Sequence, residues 1–285
     1  MNYDHAYHAG NFADVFKHII LSRMVEYLKK KEKAFRVIDT HSGSGSYDLP
    51  NMEAEPTPEW IDGIGRLRDW KPTGKVGELM EPYLSAVFED GKPEGINGFT
   101  YPGSPMIARR LMRKQDRLSA IELHPEAFEN LKDLFKGDYQ ARIMELDGWL
   151  VPGSHLPPKE ARGLTLIDPP FEQPAEFNRM IDAFEKSAHR FSGGTMACWY
   201  PLKHDGDVRL FKTLLKEAKI SNLMVFELEV ARTTFTPSLY GNGMIIRNAP
   251  YNLEAEMIAI LKELVPLIER DKGSGRFKIE RLTDE

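Results

Sequence analysis

The chain has 285 residues, of which 41% are hydrophobic and 28% charged, and its formal net charge is -5. This composition excludes a disordered or fibrous protein, and the single cysteine, Cys198, excludes an internal disulfide. The N-terminal residues lack a basic segment followed by an apolar one, and no apolar run approaches the roughly 18 residues of a membrane span. We therefore expect a cytoplasmic protein with no membrane contact, in which a local basic patch must bind any polyanion.

The first elements predict the start of an α/β sheet. Hydrophobic periodicity predicts an amphipathic helix over Ile19–Lys30, followed by a short buried strand, Phe35–Ile38. The strand runs into Asp39 and a loop that contains Gly43 and Gly45. Such a loop is typical of the first strand-to-helix turn of a doubly wound sheet, where the helix N-terminus offers amide donors to a ligand.

The rest of the chain alternates between apolar runs and amphipathic stretches. Between about residues 50 and 97, turn-rich ends flank helical periodicity, which indicates a small helical insertion within a single domain spanning residues 1–285. Further helices are predicted over residues 105–113, 125–135, 175–191, 208–218 and 253–268, and further strands over residues 118–123, 141–146, 164–167, 195–199, 223–230 and 244–246. A loop containing Gly241 and Gly243 links the last two strands, which could be antiparallel neighbours. We therefore predict an α/β fold with a doubly wound, mixed, seven-stranded sheet.

Acidic residues follow four of the predicted strands: Asp39, Glu122, Asp147 and Asp168. In an open α/β sheet the carboxyl ends of parallel strands share one crevice, which is the usual ligand position. Glu122 could accept hydrogen bonds from two ribose hydroxyls, and Asp147 could meet an adenine amino group. Taken singly, each is as readily a helix cap or a solvated strand end.

The segment Asp168-Pro169-Pro170-Phe171 directly follows a buried strand and suits an exocyclic amine as substrate. Such an amine is a poor nucleophile, so it needs acceptors, such as the Asp168 carboxylate and the Pro169 carbonyl, that favour its developing charge. The prolines fix the loop, and Phe171 offers a face on which a base can stack. The alternative is a plain turn that caps the strand.

These features resemble the class I S-adenosylmethionine-dependent methyltransferases that act on adenine N6. The resemblance is closer still to the RlmJ family, which methylates N6 of one adenine in 23S ribosomal RNA. The segments that carry it are Tyr3-x-His5-x-Tyr7-His8-Ala9-Gly10-Asn11-x-Ala13-Asp14-Val15-x-Lys17-His18, Asp39-Thr40-His41, Tyr101-Pro102-Gly103-Ser104-Pro105, Glu122-Leu123-His124-Pro125, Asp147-Gly148, Trp199-Tyr200-Pro201 and Gly243-Met244. Together they cover the chain from Tyr3 to about Pro250, and they imply a Rossmann-like class I methyltransferase fold with an insertion.

The resemblance also implies a cofactor and site residues. The methyl donor would be S-adenosylmethionine, and no metal is expected. The cofactor site would contain Lys17, His18, His41, Ser104, Glu122, Asp147, Gly148 and Asp168, with Gly43 from the glycine loop. Asp168, Pro169 and Phe171 would carry catalysis, and Tyr3, His5 and Phe171 would contact the substrate.

Two further patterns leave alternatives open. His5, His8 and His18 could suggest a metal site, but no thiolate or His-Glu pair at zinc spacing supports one. RNA phosphates could meet either of two basic clusters, which are Lys29, Lys30, Lys31, Lys33 and Arg36, and Arg109, Arg110, Arg113, Lys114 and Arg117. Solvated side chains or ion pairs are at least as good an interpretation of each cluster.

We therefore predict a methyltransferase that acts as a monomer on N6 of an adenine in 23S rRNA, with the RNA free of ribosomal proteins. An adenine-N6 DNA methyltransferase is the nearer alternative, because the amine-binding loop does not separate RNA from DNA. A non-catalytic nucleic-acid-binding or DNA-utilisation accessory protein is the second. Fold analogy alone does not decide among them.

Overall fold

The computed structural model describes residues 8–49, 58–88, 99–172, 175–203, 205–232 and 239–284. The strands are β1 Arg36–Asp39, β2 Ser46–Leu49, β3 Phe99–Pro102, β4 Arg117–Glu122, β5 Ala141–Glu145, β6 Gly163–Ile167, β7 Thr195–Leu202, β8 Leu223–Glu229, β9 Gly241–Arg247 and β10 Arg276–Arg281. The helices are α1 Phe12–Lys29, α2 Gly74–Val87, α3 Ser104–Leu111, α4 Pro125–Leu134, α5 Val151–Ser154, α6 Glu176–Arg190, α7 Asp205–Glu217 and α8 Leu253–Ile268. Short 3-10 turns cover Glu59–Asp62, Ile64–Leu67 and Gly148–Leu150.

The main sheet has the strand order β10-β8-β9-β7-β6-β1-β4-β5. The strands from β7 to β5 in this order are parallel, so their carboxyl ends meet at one edge, whereas β9, β8 and β10 pair in antiparallel fashion. The predicted doubly wound mixed sheet is confirmed, with eight strands instead of seven. The extra strand, β10, is a half-exposed edge strand, so its sequence RFKIER lacks a continuous apolar run.

Two apolar cores lie on opposite faces of the sheet. Adjacent strand residues alternate between them: Val37 belongs to one core and Ile38 to the other. Helices α1, α3 and α8 contribute to the first core, and α6 and α7 to the second. Coverage of both faces explains why all five residues of the central strand β6 are buried, whereas the edge strand β5 has no buried residue.

The glycine loop after β1 does not lead into a helix, contrary to the prediction. It leads into β2, which pairs with β3, so that Ser46 lies opposite Pro102. The Gly103 amide donates to the Gly45 carbonyl at 2.9 Å, and α3 begins at the next residue. The insertion thus leaves and re-enters through a two-stranded ribbon, which brings the glycine loop and its helix back together.

The described part of the insertion, residues 58–88, contains two 3-10 turns and α2, in keeping with its predicted helical character. Residues 50–57 and 89–98 of the predicted insertion lie outside the described residues. Whether the insertion forms a separate subdomain stays a prediction.

The prediction of a loop at Gly241 and Gly243 is wrong, although the antiparallel pairing of β8 and β9 is confirmed. Both glycines lie within β9. A Cβ atom on Gly243 would lie 2.3 Å from Cζ of Tyr200 on the neighbouring strand, so this glycine makes room for a fully buried ring. A close approach of this kind leaves no local signal that separates it from a turn.

Candidate active site

A cavity of about 1090 Å³ opens at the carboxyl edge of the parallel strands, as the strand-end argument predicts. It brings together all the predicted site residues that the structure describes: Lys17, His18, His41, Gly43, Ser104, Glu122, Asp147, Gly148, Asp168, Pro169 and Phe171. Tyr3 and His5 lie outside the described residues. Asp39 is buried beneath the cavity and not in its wall.

A buried ammonium group fixes the amine-binding loop. The Lys17 side chain, from α1, is 4% exposed, and its Nζ donates to Asp14 Oδ1 at 2.6 Å and also to Asp168 Oδ2. Burial alone would lower the pKa of Lys17, but the charges and hydrogen bonds of Asp14 and Asp168 raise it well above its ordinary value. Lys17 therefore stays charged and joins α1 to the end of β6.

The first half of α1 explains how polar groups come to be buried here. The Asn11 side chain caps the helix by accepting from the amides of Ala13 and Asp14 at 2.9 and 3.0 Å. The helix begins at Phe12, seven residues before the predicted Ile19, because residues 12–25 are buried all round. A helix that is enclosed on every side shows no amphipathic stripe, so periodicity missed its beginning.

His18 belongs to a second buried chain of hydrogen bonds. Its Nδ1 is 2.8 Å from the Tyr101 hydroxyl, which is 3.1 Å from the Tyr83 hydroxyl. Burial raises the pKa of both tyrosines, so their hydroxyls stay protonated. Because Tyr83 lies on α2, the insertion contributes directly to the structure beneath the cavity.

The carboxylate of Glu122 joins the glycine loop to the end of β4. Its Oε2 accepts from the Gly43 amide at 2.8 Å, and its Oε1 accepts from the amides of Leu123 and His124 at 2.8 and 2.7 Å. A carboxylate oxygen has two lone pairs, so Oε2 retains capacity for a ligand hydroxyl. The glycine loop is therefore held in one conformation by the residue proposed to face the ligand.

Asp147 and Gly148 bring the loop after β5 against the loop after β1. Oδ1 of Asp147 accepts from the Trp149 amide at 3.0 Å, whereas no described residue is hydrogen-bonded to its Oδ2. A Cβ atom on Gly148 would lie 2.0 Å from the Thr40 carbonyl oxygen, so the close contact requires glycine. The Trp149 ring lies edge-on to His41, with centroids 5.3 Å apart, and burial lowers the pKa of His41, which keeps its ring neutral at pH 7.

Asp39 and Ser104 form a buried pair at the base of the site. Ser104, the first residue of α3, donates its hydroxyl to Asp39 Oδ2 at 2.6 Å. Burial raises the pKa of Asp39 to about 7, with a further rise from Asp168 and opposing effects from Ser104 and Lys17. Asp39 therefore holds Ser104, which lines the cavity, without itself forming part of the cavity wall.

The loop after β6 holds the predicted acceptors and the predicted aromatic face. Asp168 is partly buried, Pro169 is buried, and Phe171 has φ of 54°, a left-handed conformation that non-glycine residues rarely adopt. The Phe171 ring packs edge-on against Phe177 and Trp199, at centroid distances of 5.1 and 5.7 Å. Packing against these two rings therefore stabilises the unusual backbone conformation of Phe171 at the mouth of the cavity.

The cavity wall also contains charged residues that were not among the predicted site residues. Glu176, Arg179 and Lys203 line the part of the cavity next to Phe171. Glu176 is 3% exposed, while Arg179 and Lys203 are exposed, and the Arg179 guanidinium lies 5.9 Å from the centroid of the Trp149 ring. Charged residues at a helix start or after a strand are ordinarily solvated, so neither spacing nor residue type distinguishes these three.

The insertion reaches the N-terminal segment through Glu59. Its Oε2 accepts from Asn11 Nδ2 and is hydrogen-bonded to His8 Nδ1, each at 2.9 Å. The hydrogen bond to Glu59 raises the pKa of His8. His8 is therefore part of a hydrogen-bond network, and His124 accepts from the Ala127 amide as the cap of α4.

Both predicted basic clusters lie around the amino ends of the parallel strands, opposite the cavity. Three of the five arginines in them form ion pairs: Arg36 with Glu160, Arg109 with Asp138, and Arg113 with Asp116. The structure therefore favours the ion-pair interpretation for these three, while Lys31 and Lys33 are exposed. Neither cluster is positioned to hold phosphates next to the amine-binding loop.

The described residues contain neither a membrane-spanning helix nor a cluster of metal ligands. Within those ranges, no helix has the length and apolarity that a membrane span requires. Among the same residues, no three His, Cys, Asp or Glu side chains converge so as to hold a metal ion. The hypothesis of a site at His5, His8 and His18 involves a residue outside the described ranges.

Comparison with known proteins identifies the family. Residues 32–280 match the family described as ribosomal RNA large subunit methyltransferase D, RlmJ. Two relatives named ribosomal RNA large subunit methyltransferase J, from Haemophilus influenzae and Escherichia coli, are 38% and 36% identical, with each alignment covering 100% of both chains. A crystal structure of a Legionella pneumophila protein is 33% identical, with a TM-score of 0.85 over 96% of this chain and 98% of that one. The resemblance inferred from the motifs is confirmed, and the chain belongs to the RlmJ family of ribosomal RNA large subunit methyltransferases.

Proposed function

We propose that the protein transfers the methyl group of S-adenosylmethionine to N6 of an adenine in 23S rRNA. The observation that carries this proposal is the arrangement at the end of β6. There Asp168 is held by the buried Lys17, beside the Pro169 carbonyl and the Phe171 ring, in the wall of a cavity at the strand ends. Membership of an rRNA methyltransferase family supplies the substrate class.

The residues present fit S-adenosylmethionine, which carries positive charge and an adenosine group. Glu122 retains capacity for ribose hydroxyls, and Oδ2 of Asp147 has no described partner and can accept from an adenine amine. The volume of about 1090 Å³ slightly exceeds the usual upper size, about 1000 Å³, of a site for one drug-sized ligand, so a cofactor and a base can share the cavity. The residues proposed to hold the cofactor are Lys17, His18, His41, Gly43, Ser104, Glu122, Asp147, Gly148 and Asp168.

When bound, the cofactor supplies an electrophilic methyl carbon, and the chain must make an adenine amine attack it. Asp168 and the Pro169 carbonyl accept from the two N–H groups, which favours the pyramidal nitrogen that develops during transfer. Lys17 holds the Asp168 carboxylate in place, so the acceptor is positioned before the base arrives. Phe171, together with Tyr3 and His5, positions the base, and Asp168 or water takes the proton that the nitrogen releases.

We propose that Arg179 and Lys203 contact the phosphates that flank the target adenine. Both are exposed cations in the cavity wall next to Phe171, whereas the two basic clusters lie at the opposite edge of the sheet. An adenine stacked within an RNA helix would have to flip out of that helix to reach Asp168 in the cavity. Phosphate contacts at the mouth of the cavity would then hold the strand that carries the flipped base. Such extrusion favours RNA free of ribosomal proteins as the substrate.

The test is methyl transfer from tritiated S-adenosylmethionine to matched RNA and DNA oligonucleotides of 23S sequence. We expect label on adenine in RNA alone with the wild type, and none with Asp168→Ala. Label on DNA of equal efficiency would favour the adenine-N6 DNA methyltransferase. Binding of nucleic acid without label on either would favour a non-catalytic accessory protein.

A further inference from the structure

Glu176 is a cavity-lining carboxyl group that has no role in the proposed transfer and is almost fully buried. Glu176, the first residue of α6, lines the cavity and is 3% exposed. Its Oε2 is fully buried and has no hydrogen-bond partner among the described residues. A buried polar atom without a partner destabilises a fold, so its presence in the wall of a binding cavity suggests that a ligand satisfies it.

The position of Glu176 relates it to the base and not to the cofactor. The next residue, Phe177, packs against Phe171, with ring centroids 5.1 Å apart. Glu176 therefore borders the aromatic group on which the base is proposed to stack. The cofactor residues Glu122 and Asp147, by contrast, follow other strands, β4 and β5.

The charges around Glu176 determine which form of the carboxyl group is present. The pKa of Glu176 is raised to about 7, because burial and the charge of Glu172 outweigh Arg179, Lys203 and a hydrogen bond from the Phe171 backbone, which lower it. Near neutral pH, a substantial fraction of the protein therefore carries a protonated Glu176. In that form one oxygen is a hydrogen-bond donor and the other remains an acceptor.

We propose that Glu176 is a specificity-determining residue whose protonated carboxyl group donates a hydrogen bond to a ring nitrogen flanking the amine of the target adenine. This inference rests on the proposed adenine methylation. Adenine presents an acceptor nitrogen on each side of its amine, N1 and N7, and a carboxyl group can donate to either one. Guanine carries an N1–H donor on one side, so a donor aimed at N1 also rejects guanine.

The experiment tests whether one ring nitrogen of the target adenine interacts with the Glu176 side chain. A short 23S fragment that the wild type methylates is resynthesised with 1-deazaadenosine or 7-deazaadenosine at the methylated position. With the wild type, we expect one of these substitutions to lower kcat/KM by about tenfold or more, because a buried donor then lacks its partner. With Glu176→Ala, the unmodified RNA should lose a similar factor, and the same deaza substitution should have little further effect.

Two further variants make the outcome specific. Glu185→Ala makes the same change at an exposed position of α6 and should keep the full penalty for the deaza base. Glu176→Gln retains a donor and an acceptor, so it should recover most of the kcat/KM that Glu176→Ala loses. We expect the kcat/KM of the wild type to fall as the pH rises through about 7, and we expect Glu176→Gln to lack the part of that fall that is due to Glu176.

Equal wild-type rates on all three RNAs, or an undiminished deaza penalty in Glu176→Ala, would overturn the inference. If Glu176→Ala does not fold, the pH profile of Glu176→Gln decides, and a fall identical to that of the wild type would overturn it as well. A wild type that labels no RNA at all would instead refute the proposed function itself, so the two failures are distinguishable.

Discussion

Replacing Lys17 by methionine removes the charge that holds two carboxylates together. Lys17 Nζ lies 2.6 Å from Asp14 Oδ1 and also binds Asp168, and the side chains of Lys17, Asp14 and Asp168 are 4%, 5% and 11% exposed. Methionine has a similar length, so the main loss is electrostatic. Removing one partner of a buried ion pair leaves uncompensated charge and costs about 3–5 kcal/mol of unfolding free energy.

The matched control is Lys29→Met in the same helix. Lys29 also pairs with a carboxylate three residues earlier, Glu26, but the two side chains are 28% and 23% exposed. Solvent screens this pair, so we expect a loss of about 1 kcal/mol or less. Urea unfolding of both variants measures the difference directly.

The pH dependence adds a second test of the same reasoning. Because the folded-state pKa of Lys17 is raised above its ordinary value of 10.5, its stabilising effect is complete below that pH and is lost only as the pH rises through the folded value. Lys17 itself should therefore not titrate between pH 6 and 9, and any change there in the difference in unfolding free energy between wild type and Lys17→Met should come from Asp39, whose pKa Lys17 lowers. Adding Asp14→Asn should recover part of the loss. Equal losses in Lys17→Met and Lys29→Met would refute the argument that this charge is buried and structural.

Three other predictions concern different parts of the site. Burial raises the pKa of Asp39 from 3.8 to about 7, so the folded state retains a proton that the unfolded state loses, and wild-type stability should fall as the pH rises from 4 to 7. Asp39→Asn should remove up to about 4 kcal/mol of that fall in urea unfolding, and an unchanged pH profile would contradict it. Asp168→Ala should lower turnover by about a hundredfold or more, while calorimetry shows S-adenosylmethionine affinity reduced by only a few fold, because the other residues proposed to hold the cofactor remain; equal loss of both would make Asp168 a structural cap. Arg179→Glu and Lys203→Glu should each weaken RNA binding and flatten its salt dependence, and Lys31→Glu, at the opposite edge, should not; the reverse order would return the phosphates to the basic clusters.

The sequence predicted the site best where the position of a residue depends only on the order and pairing of the strands. Asp147 and Asp168 each follow a short strand of the parallel sheet, and parallel pairing alone is enough to place such residues around one cavity. The same argument predicted a crevice without any knowledge of side-chain contacts. The motif resemblance then added Lys17, His18 and Ser104, which belong to helices and have no strand-end signal.

What the sequence did not predict depends on contacts between distant segments. Lys17 looks like an ordinary helix lysine until α1 is enclosed by the sheet, α3 and the insertion, since only the fold buries it against Asp168. Glu176 likewise looks like a favourable first-turn acid, although the fold leaves it only 3% exposed. The β2–β3 ribbon pairs residues 50 or more positions apart, which no local pattern records.

The most direct measurement of the central claim is nucleoside analysis of deproteinised 23S rRNA after incubation with the protein and labelled S-adenosylmethionine. We predict that the wild type places label in N6-methyladenosine at one adenine of the 23S rRNA, and that Asp168→Ala places none. Label in another nucleoside, or N6-methyladenosine formed equally by Asp168→Ala, would contradict the assignment of the loop after β6 as the site of methyl transfer to an adenine amine.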